Sequence, residues 1–372
     1  MLLPRPVLIV APPESRRVRA FQATLHQLGW PEARVVSYQD VLQEKVDFAA
    51  LVTPETLVRI ESPGESLQTE RDLLRLGLEG LETGINPDSI ALEEGQIMPS
   101  GPWHDGLKRF FEVLETQLQA CPAHQRTLDF QEALQLFDKR ITSRKWQEAG
   151  VSVPAPLREP QNFEDLLSEM QSNNLQRVFV KLAHGSSASG ALALHVSGRK
   201  IRAITTVRRE GERLFNSRQL LHLSDRSEIA QTVNLLCQHP LQVEAWIPKA
   251  TFQGKTIDLR VVVVGGVPMH ALVRLGQGAM TNLHLGNSRG DMDALKAHLG
   301  EHWDGIEASC QRAMQVFPRS LYAGLDVLIR PNLSKHHLLE ANTFGDYHRN
   351  VFYQGMDTFT AQLWTLQERR TC

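Results

Sequence analysis

The chain of 372 residues carries a formal net charge of −2, with 42% hydrophobic and 22% charged residues. That balance suits a folded enzyme of two or three structural units and leaves no electrostatic footprint for nucleic acid or an anionic membrane. No apolar run approaches the roughly 20 residues that span a bilayer, and Cys121, Cys237, Cys310 and Cys372 lie too far apart for a paired motif, so free thiols in a reducing, cytoplasmic setting are expected.

Residues 6–52 read as the start of an open α/β unit. Val7 to Val10 is a buried-strand run too short for a signal peptide. Val18, Phe21, Leu25 and Leu28 follow at helical spacing and Gly29 closes the helix. Val35-Val36 and Phe48 to Val52 supply further strand candidates. After the first strand comes Ala11-Pro12-Pro13-Glu14-Ser15 with no GxGxxG, which argues against a dinucleotide fold. Arg59 to Glu65 holds a turn with a helix-start signal. Residues 84–102 read as a connection, Leu107, Phe110, Phe111, Leu114 and Leu118 as one face of a bridging helix, and Leu128 to Ala149 as a second helix with Lys139 inside it. Alone, Lys139 is read as a surface charge.

Arg177 to Ala183 is a strand with Lys181 in its apolar run, and a buried lysine needs an anionic partner. The loop Gly185-Ser186-Ser187-Ala188-Ser189-Gly190 and the strand Ala191 to Val196 follow. The loop can lay backbone N–H groups and serine hydroxyls over phosphates, although no Walker A ending is present. Leu241 to Ile247 reads as a strand entering a linker, and Ile257 to Gly266 with Pro268 to Leu275 as a strand pair. Asp258 and Arg260 share one face there, either as site residues or as members of cross-strand ion pairs. Asn282 to Gly290 suits a site-lining loop, and Asp291 to Val316 reads as one long helix.

The segment Gly324 to Arg330, the turn from Pro331 to His337 and the segment Leu338 to Asn342 predict a β-hairpin. Period-2 alternation puts Leu338, Glu340 and Asn342 on one face and Leu339 and Ala341 on the other. Asp326 on the partner strand could lie beside Glu340 and Asn342. Either these groups are solvated strand ends, or they converge on a cation, and an all-oxygen set suits Mg²⁺ or Mn²⁺.

The order of these pieces across residues 130–345 resembles the ATP-grasp superfamily, close to its carboxylate–amine ligases. The resemblance implies an α/β (α+β) chain: an N-terminal α/β domain over 1–100, a connecting helix over 101–128, a helix leading into a small lid lobe over 129–245, and a catalytic lobe over 246–372. It implies that Lys139 and Lys181 hold the ATP phosphates under a loop bearing Ser186 and Ser187. Glu244, Ala245 and Ile247 would grip adenine, with the C=O of Glu244 and the N–H of Ile247 on its edge. Asp258 would take the ribose, and Asp326, Glu340 and Asn342 would hold Mg²⁺ (or Mn²⁺). Arg260, Arg274, Asn282 and Arg289 are the implied catalytic set. Several relatives carry arginine where this chain has Met280, so Arg260 or Arg274 would have to grip the transferred phosphate. The implied activity joins a small-molecule or peptide carboxylate to an amine through an acyl phosphate, with a homodimer expected by analogy. Three alternatives stay open: a phosphotransferase on the same fold, an ATP-binding regulator without turnover, and a metallohydrolase using Asp326, Glu340, His284 and His348.

Overall fold

The apolar run Val7–Val10 forms strand β1, buried throughout as befits a central parallel strand. The computed structural model describes residues 2–186, 188–345 and 348–371, without the side chains of 370 and 371, so the expectations for Ser187 and Cys372 fall outside the described residues. Strands β2 (Arg34–Val36) and β3 (Leu57–Ile60) flank β1 in parallel, and β4 (Gln125–Arg126) completes the order β2-β1-β3-β4. Helix α1 (Arg16–Gln27) begins at Ser15, whose hydroxyl accepts from the N–H groups of Arg17 and Val18. After α2 (Tyr38–Leu42), the segment expected as a strand at 48–52 forms a single helical turn instead, α3 (Phe48–Leu51). A four-residue apolar run has no period to separate the two outcomes, and the Asp47 carboxylate, accepting from Ala50 N–H at 3.2 Å, decides for the turn.

Helices α4 (Leu67–Leu78) and α5 (Ser100–Gln119) cross where Gly77 meets Gly106. A Cβ on Gly77 would sit 1.8 Å from the Pro102 carbonyl oxygen, and one on Gly106 would sit 1.8 Å from that of Leu73. The next helix, expected as one piece, is two: α6 (Phe130–Phe137) and α7 (Lys139–Glu148). Asp138 between them is extended, and its carboxylate accepts from the N–H groups of Arg140 and Ile141. Lys139 therefore opens α7 rather than lying inside a helix.

The second sheet contains β5 (Pro156–Leu157), β6 (Arg177–Leu182), β7 (Leu192–Ser197), β8 (Lys200–Glu210), β9 (Arg213–Leu223) and β10 (Leu241–Ala245), in the antiparallel order β5-β10-β6-β7-β8-β9. Helices α8 (Phe163–Ser172) and α9 (Arg226–Leu236) cover one face, burying Phe163, Leu166, Ile229 and Val233 with Val178, Val180 and Leu182. Phe179, Lys181 and Glu244 lie on the other face.

The third sheet contains β11 (Thr251–Phe252), β12 (Lys255–Val264), β13 (Val267–Gly276), β14 (Ser288–Arg289), β15 (Tyr322–Ile329) and β16 (His336–Asn342). Its main order is β14-β13-β12-β15-β16, with β11 paired to β12. The expected helix 291–316 breaks at Gly300, φ +53, into α10 (Met292–Leu299) and α11 (His302–Gln315). Odd-numbered residues of β12 and β15, among them Leu259, Val261, Leu325 and Val327, pack on Leu295, Ile306 and Met314 of these helices. On the opposite face Val262, Val264 and Tyr322 pack against Phe21 of α1 and Phe359 of the last helix, α12 (Thr358–Thr371). Further along that face the side chains turn polar, and there the sheet meets the lid.

Candidate active site

Lys181 lies on a strand buried on one face by α8 and α9, and its own face needs a counter-charge. The partner is Glu244 of the adjacent strand β10, with Lys181 Nζ 2.5 Å from Glu244 Oε1. Burial alone would lower the Lys181 pKa, but the carboxylates of Glu244, Glu340 and Asp326 outweigh it and keep the ammonium charged. Lys139 reaches the same place from the start of α7: its backbone N–H donates to Ala183 C=O at 3.1 Å and its ammonium to Gly185 C=O. The ammonium also lies 3.6 Å from Glu340 Oε2.

The base of this loop is held from below by His184. Its Nε2 is 3.1 Å from Asp138 Oδ2, and its ring stacks on His104 at 4.0 Å. Burial, then the neighbouring His184, push His104 down to about 4. The Asp138 carboxylate, opposed by burial but held by His184 and Arg140, stays well below the usual carboxylate range. Gly190, φ +68, closes the loop where an added Cβ would strike Leu182.

Opposite the lid, the polar face of the third sheet carries a row of ion pairs set by its register. Asp258 faces Arg274 across β12 and β13, and Arg260 faces Asp326 across β12 and β15. Arg274 Nε donates to Asp258 Oδ1 at 2.6 Å and its Nη2 to Asp326 Oδ2 at 2.9 Å, while Arg260 Nε donates to Asp326 Oδ1. Gly324 lets Arg260 lie across the sheet, since a Cβ there would meet Arg260 Cδ at 3.3 Å. Burial would raise the carboxyl of Asp326, but Arg260 and Arg274 hold it well below its ordinary value; Lys249 and Arg274 likewise lower that of Asp258. The cross-strand ion pairs that the sequence left open are thus formed, with partners drawn from different strands rather than from the Asp258 and Arg260 positions themselves.

Asp326 and Glu340 are directly opposed on β15 and β16. The expected alternation along 338–342 fails at one point, because the register shifts between Asp326 and Val327. The extra residue on β16 is Leu339, which lines the cleft beside Glu340, while Leu338 and Ala341 pack into the core beneath. Asn342 keeps its predicted side and donates Nδ2 to Gly324 C=O at 3.2 Å.

Lid and sheet face each other across a half-open cleft lined by Lys139, Lys181, Glu244, Ala245, Ile247, Asp258, Arg274, Asn282, Asp326 and Glu340 among others. Arg260 stands behind it on Asp326. Arg289 is exposed on β14 and donates to Arg349 C=O at 2.8 Å, and Ser186 is exposed at the loop tip. Asn282 accepts from His284 N–H at 3.0 Å, while Asn287 ties its loop down by donating to the carbonyls of Met280 and Asn282. His284 is exposed and His348 buried, and among the described residues no group of three or more His, Cys, Asp or Glu side chains is placed to hold a metal, so the hydrolase set is not assembled.

Sequence reasoning missed Lys249, which follows Pro248 in the linker. Its ammonium is buried and donates to Asp258 Oδ2 at 2.9 Å and Thr281 Oγ1 at 2.7 Å. A lone lysine beside a proline reads as solvated; only its spacing from the lid-exit strand could have marked it.

No protein-family profile and no curated protein sequence matches this chain. Solved structures do. The ATP-grasp ligase PsnB complexed with a phosphomimetic variant of its minimal precursor, Mg and ADP is 14% identical, with a TM-score of 0.54 over 98% of each chain. The D-cycloserine synthetase DcsG is 12% identical, with a TM-score of 0.57 over 98% of this chain and 99% of its own. The D-alanine–D-alanine ligase of Bacillus anthracis, complexed with ATP, is 10% identical, with a TM-score of 0.51 over 99% of each chain. At such identities a likeness speaks for architecture, and this chain has the ATP-grasp fold.

Proposed function

We propose that this protein is an ATP-dependent ligase that activates a carboxylate as an acyl phosphate and joins it to an amine. One observation carries the reading: lysines from the lid side, Lys139 and Lys181, face the opposed carboxylates Asp326 and Glu340 across a cleft that the linker residues Glu244, Ala245 and Ile247 also line. The nucleotides named with two of the similar structures support the same use of this cleft.

In this reading the backbone of Glu244 and Ile247 takes the adenine edge, and Lys139 and Lys181 release their present partners to hold phosphate oxygens. Ser186 closes over them. Asp258 would reach a ribose hydroxyl only through lone pairs not already taken by Arg274, Lys249 and Thr281.

The donor set fits a hard divalent cation. Asp326 and Glu340 offer carboxylate oxygens from facing positions, and Asn342, its Nδ2 occupied, offers its amide oxygen. Arg260 and Arg274 keep Asp326 ionised and leave each of its oxygens a second lone pair. When bound, Mg²⁺ or Mn²⁺ would supply charge neutralisation between the β- and γ-phosphates.

A substrate carboxylate oxygen attacks the γ-phosphorus and the bond to the bridging oxygen breaks, releasing ADP. An amine nitrogen then attacks the acyl carbon, the C–O bond to phosphate breaks, and the amine proton passes to solvent. Arg260 and Arg274 are committed to Asp326 and Asp258, so Arg289, exposed on the next strand, would meet the substrate carboxylate by a bidentate contact. No side chain has to act as a covalent nucleophile, which leaves catalysis to positioning and electrostatics.

The test is ADP release over a panel of carboxylates with hydroxylamine as the amine. Ligation yields hydroxamate; a phosphorylated product that is stable and needs no amine would replace ligation with phosphotransfer. Glu340→Gln should lower turnover by about 10², the scale of losing one strong transition-state contact. Near-wild-type turnover would remove Glu340 from the cation site.

A further inference from the structure

We propose that Lys249 is a catalytic residue of this cleft, the fixed cation that grips the transferred phosphoryl group in place of an arginine at Met280; the inference rests on the nucleotide reading above. Met280 is buried against Ala191 and Ala193 of the lid and lines the cleft without a charge to offer. The residue after it, Thr281, accepts from Lys249 Nζ at 2.7 Å, so the ammonium stands within one residue of the vacated position.

Lys249 combines burial with a spare donor. Its side chain is only 8% exposed yet lines the cleft. An ammonium has three N–H donors, and among the described residues two are met, by Asp258 and Thr281. Arg274, by contrast, has its Nε and one Nη fixed on two carboxylates, and Arg260 is drawn away toward Asp326.

Asp258 and Thr281 hold the Lys249 ammonium in place, so the group needs little reorganisation as charge develops on the γ-phosphoryl oxygens.

The proposal separates triphosphate from diphosphate. Calorimetric titration of Lys249→Met with Mg-ADP and with a non-hydrolysable ATP analogue should show the analogue weakened about tenfold or more and ADP changed less than about twofold, the difference expected from one charged hydrogen bond. Met280→Arg in the Lys249→Met background should restore most of the analogue's affinity. If Lys249→Met does not melt cooperatively, Lys249→Gln, which can still donate to Asp258, is titrated in its place with the same expectation. Equal weakening of ADP and analogue, or no weakening of either, overturns the role of Lys249. A wild-type protein that binds neither nucleotide overturns the nucleotide reading itself, an outcome visible before any variant is made.

Discussion

Arg274 shows how much one side chain can carry in a buried polar row. It bridges Asp258 and Asp326, and all three groups are almost fully buried. Removing it leaves two carboxylates short of a cation, so Arg274→Met should cost about 3 kcal/mol or more in denaturant unfolding. Arg274→Lys should recover little, because a single ammonium cannot span both partners as a planar fork does. A second buried group makes a pH prediction. Burial lifts the Glu70 carboxyl from 4.5 to about 7. A carboxyl whose folded pKa is raised contributes stability that is complete below the unfolded value and is lost as pH rises through the folded one. Glu70→Gln should therefore raise the melting midpoint at pH 8 and change it little at pH 4; a gain confined to the acid side would contradict the assignment. At this scale the sequence announced Lys181, because a lysine inside an apolar strand demands a partner. It could not name Glu244, which arrives from a strand some 60 residues later. Lys249 was invisible for the same reason: its partners Asp258 and Thr281 come from separate segments.

At the level of elements, the hairpin of β15 and β16 was legible because a polar Pro/Asn/Ser turn separates two apolar runs, and its register brings Asp326 opposite Glu340. The bulge at Leu339 was not, since a two-residue period has no term for an inserted residue. Helix interruptions were missed where a cap lies within a continuous apolar pattern: Asp138 starts α7 and with it turns Lys139 toward the lid loop. Asp138→Ala should cost about 1 kcal/mol from the lost cap alone. On the proposed nucleotide reading it should also weaken nucleotide binding, since His184 loses its partner beside Gly185, where Lys139 is held; a stability loss with unchanged nucleotide affinity would confine Asp138 to capping. The α4–α5 crossing is equally specific. Gly77→Ala would drive a methyl into the Pro102 carbonyl, and a loss of about 3 kcal/mol in denaturant unfolding is expected from such overpacking. Full stability in that variant would mean that the helices separate more easily than their contact suggests.

For the whole molecule, three sheets share two junctions. The parallel N-terminal sheet meets the third sheet through α1 and α12, while the lid sheet meets it across the cleft. The N-terminal junction is fixed by Arg59, whose guanidinium lies 4.4 Å from the Phe21 ring and 4.9 Å from the Phe359 ring and donates to Glu61 and Gln362. The lid junction is bridged by the Lys139–Glu340 ion pair and by Met280, which packs on Ala191 and Ala193 of the second sheet. The α/β order at the N-terminus and the sequence of lysine, loop, linker and carboxylate pair made this architecture readable in advance. The substrate is not readable in the same way, because the residues around Arg289 acquire meaning only when a ligand selects among them.

The most direct test of the nucleotide cleft is thermal unfolding of the wild type and Lys181→Met with Mg²⁺ and ATP, ADP or NAD. At 100 times its dissociation constant a ligand adds about 2.7 kcal/mol to stability, a visible upward shift of the midpoint. Stabilisation of the wild type by Mg-ATP and Mg-ADP but not by NAD, lost in Lys181→Met, is the predicted result. A wild type that no adenine nucleotide stabilises, or a Lys181→Met variant stabilised as fully as the wild type, would contradict it.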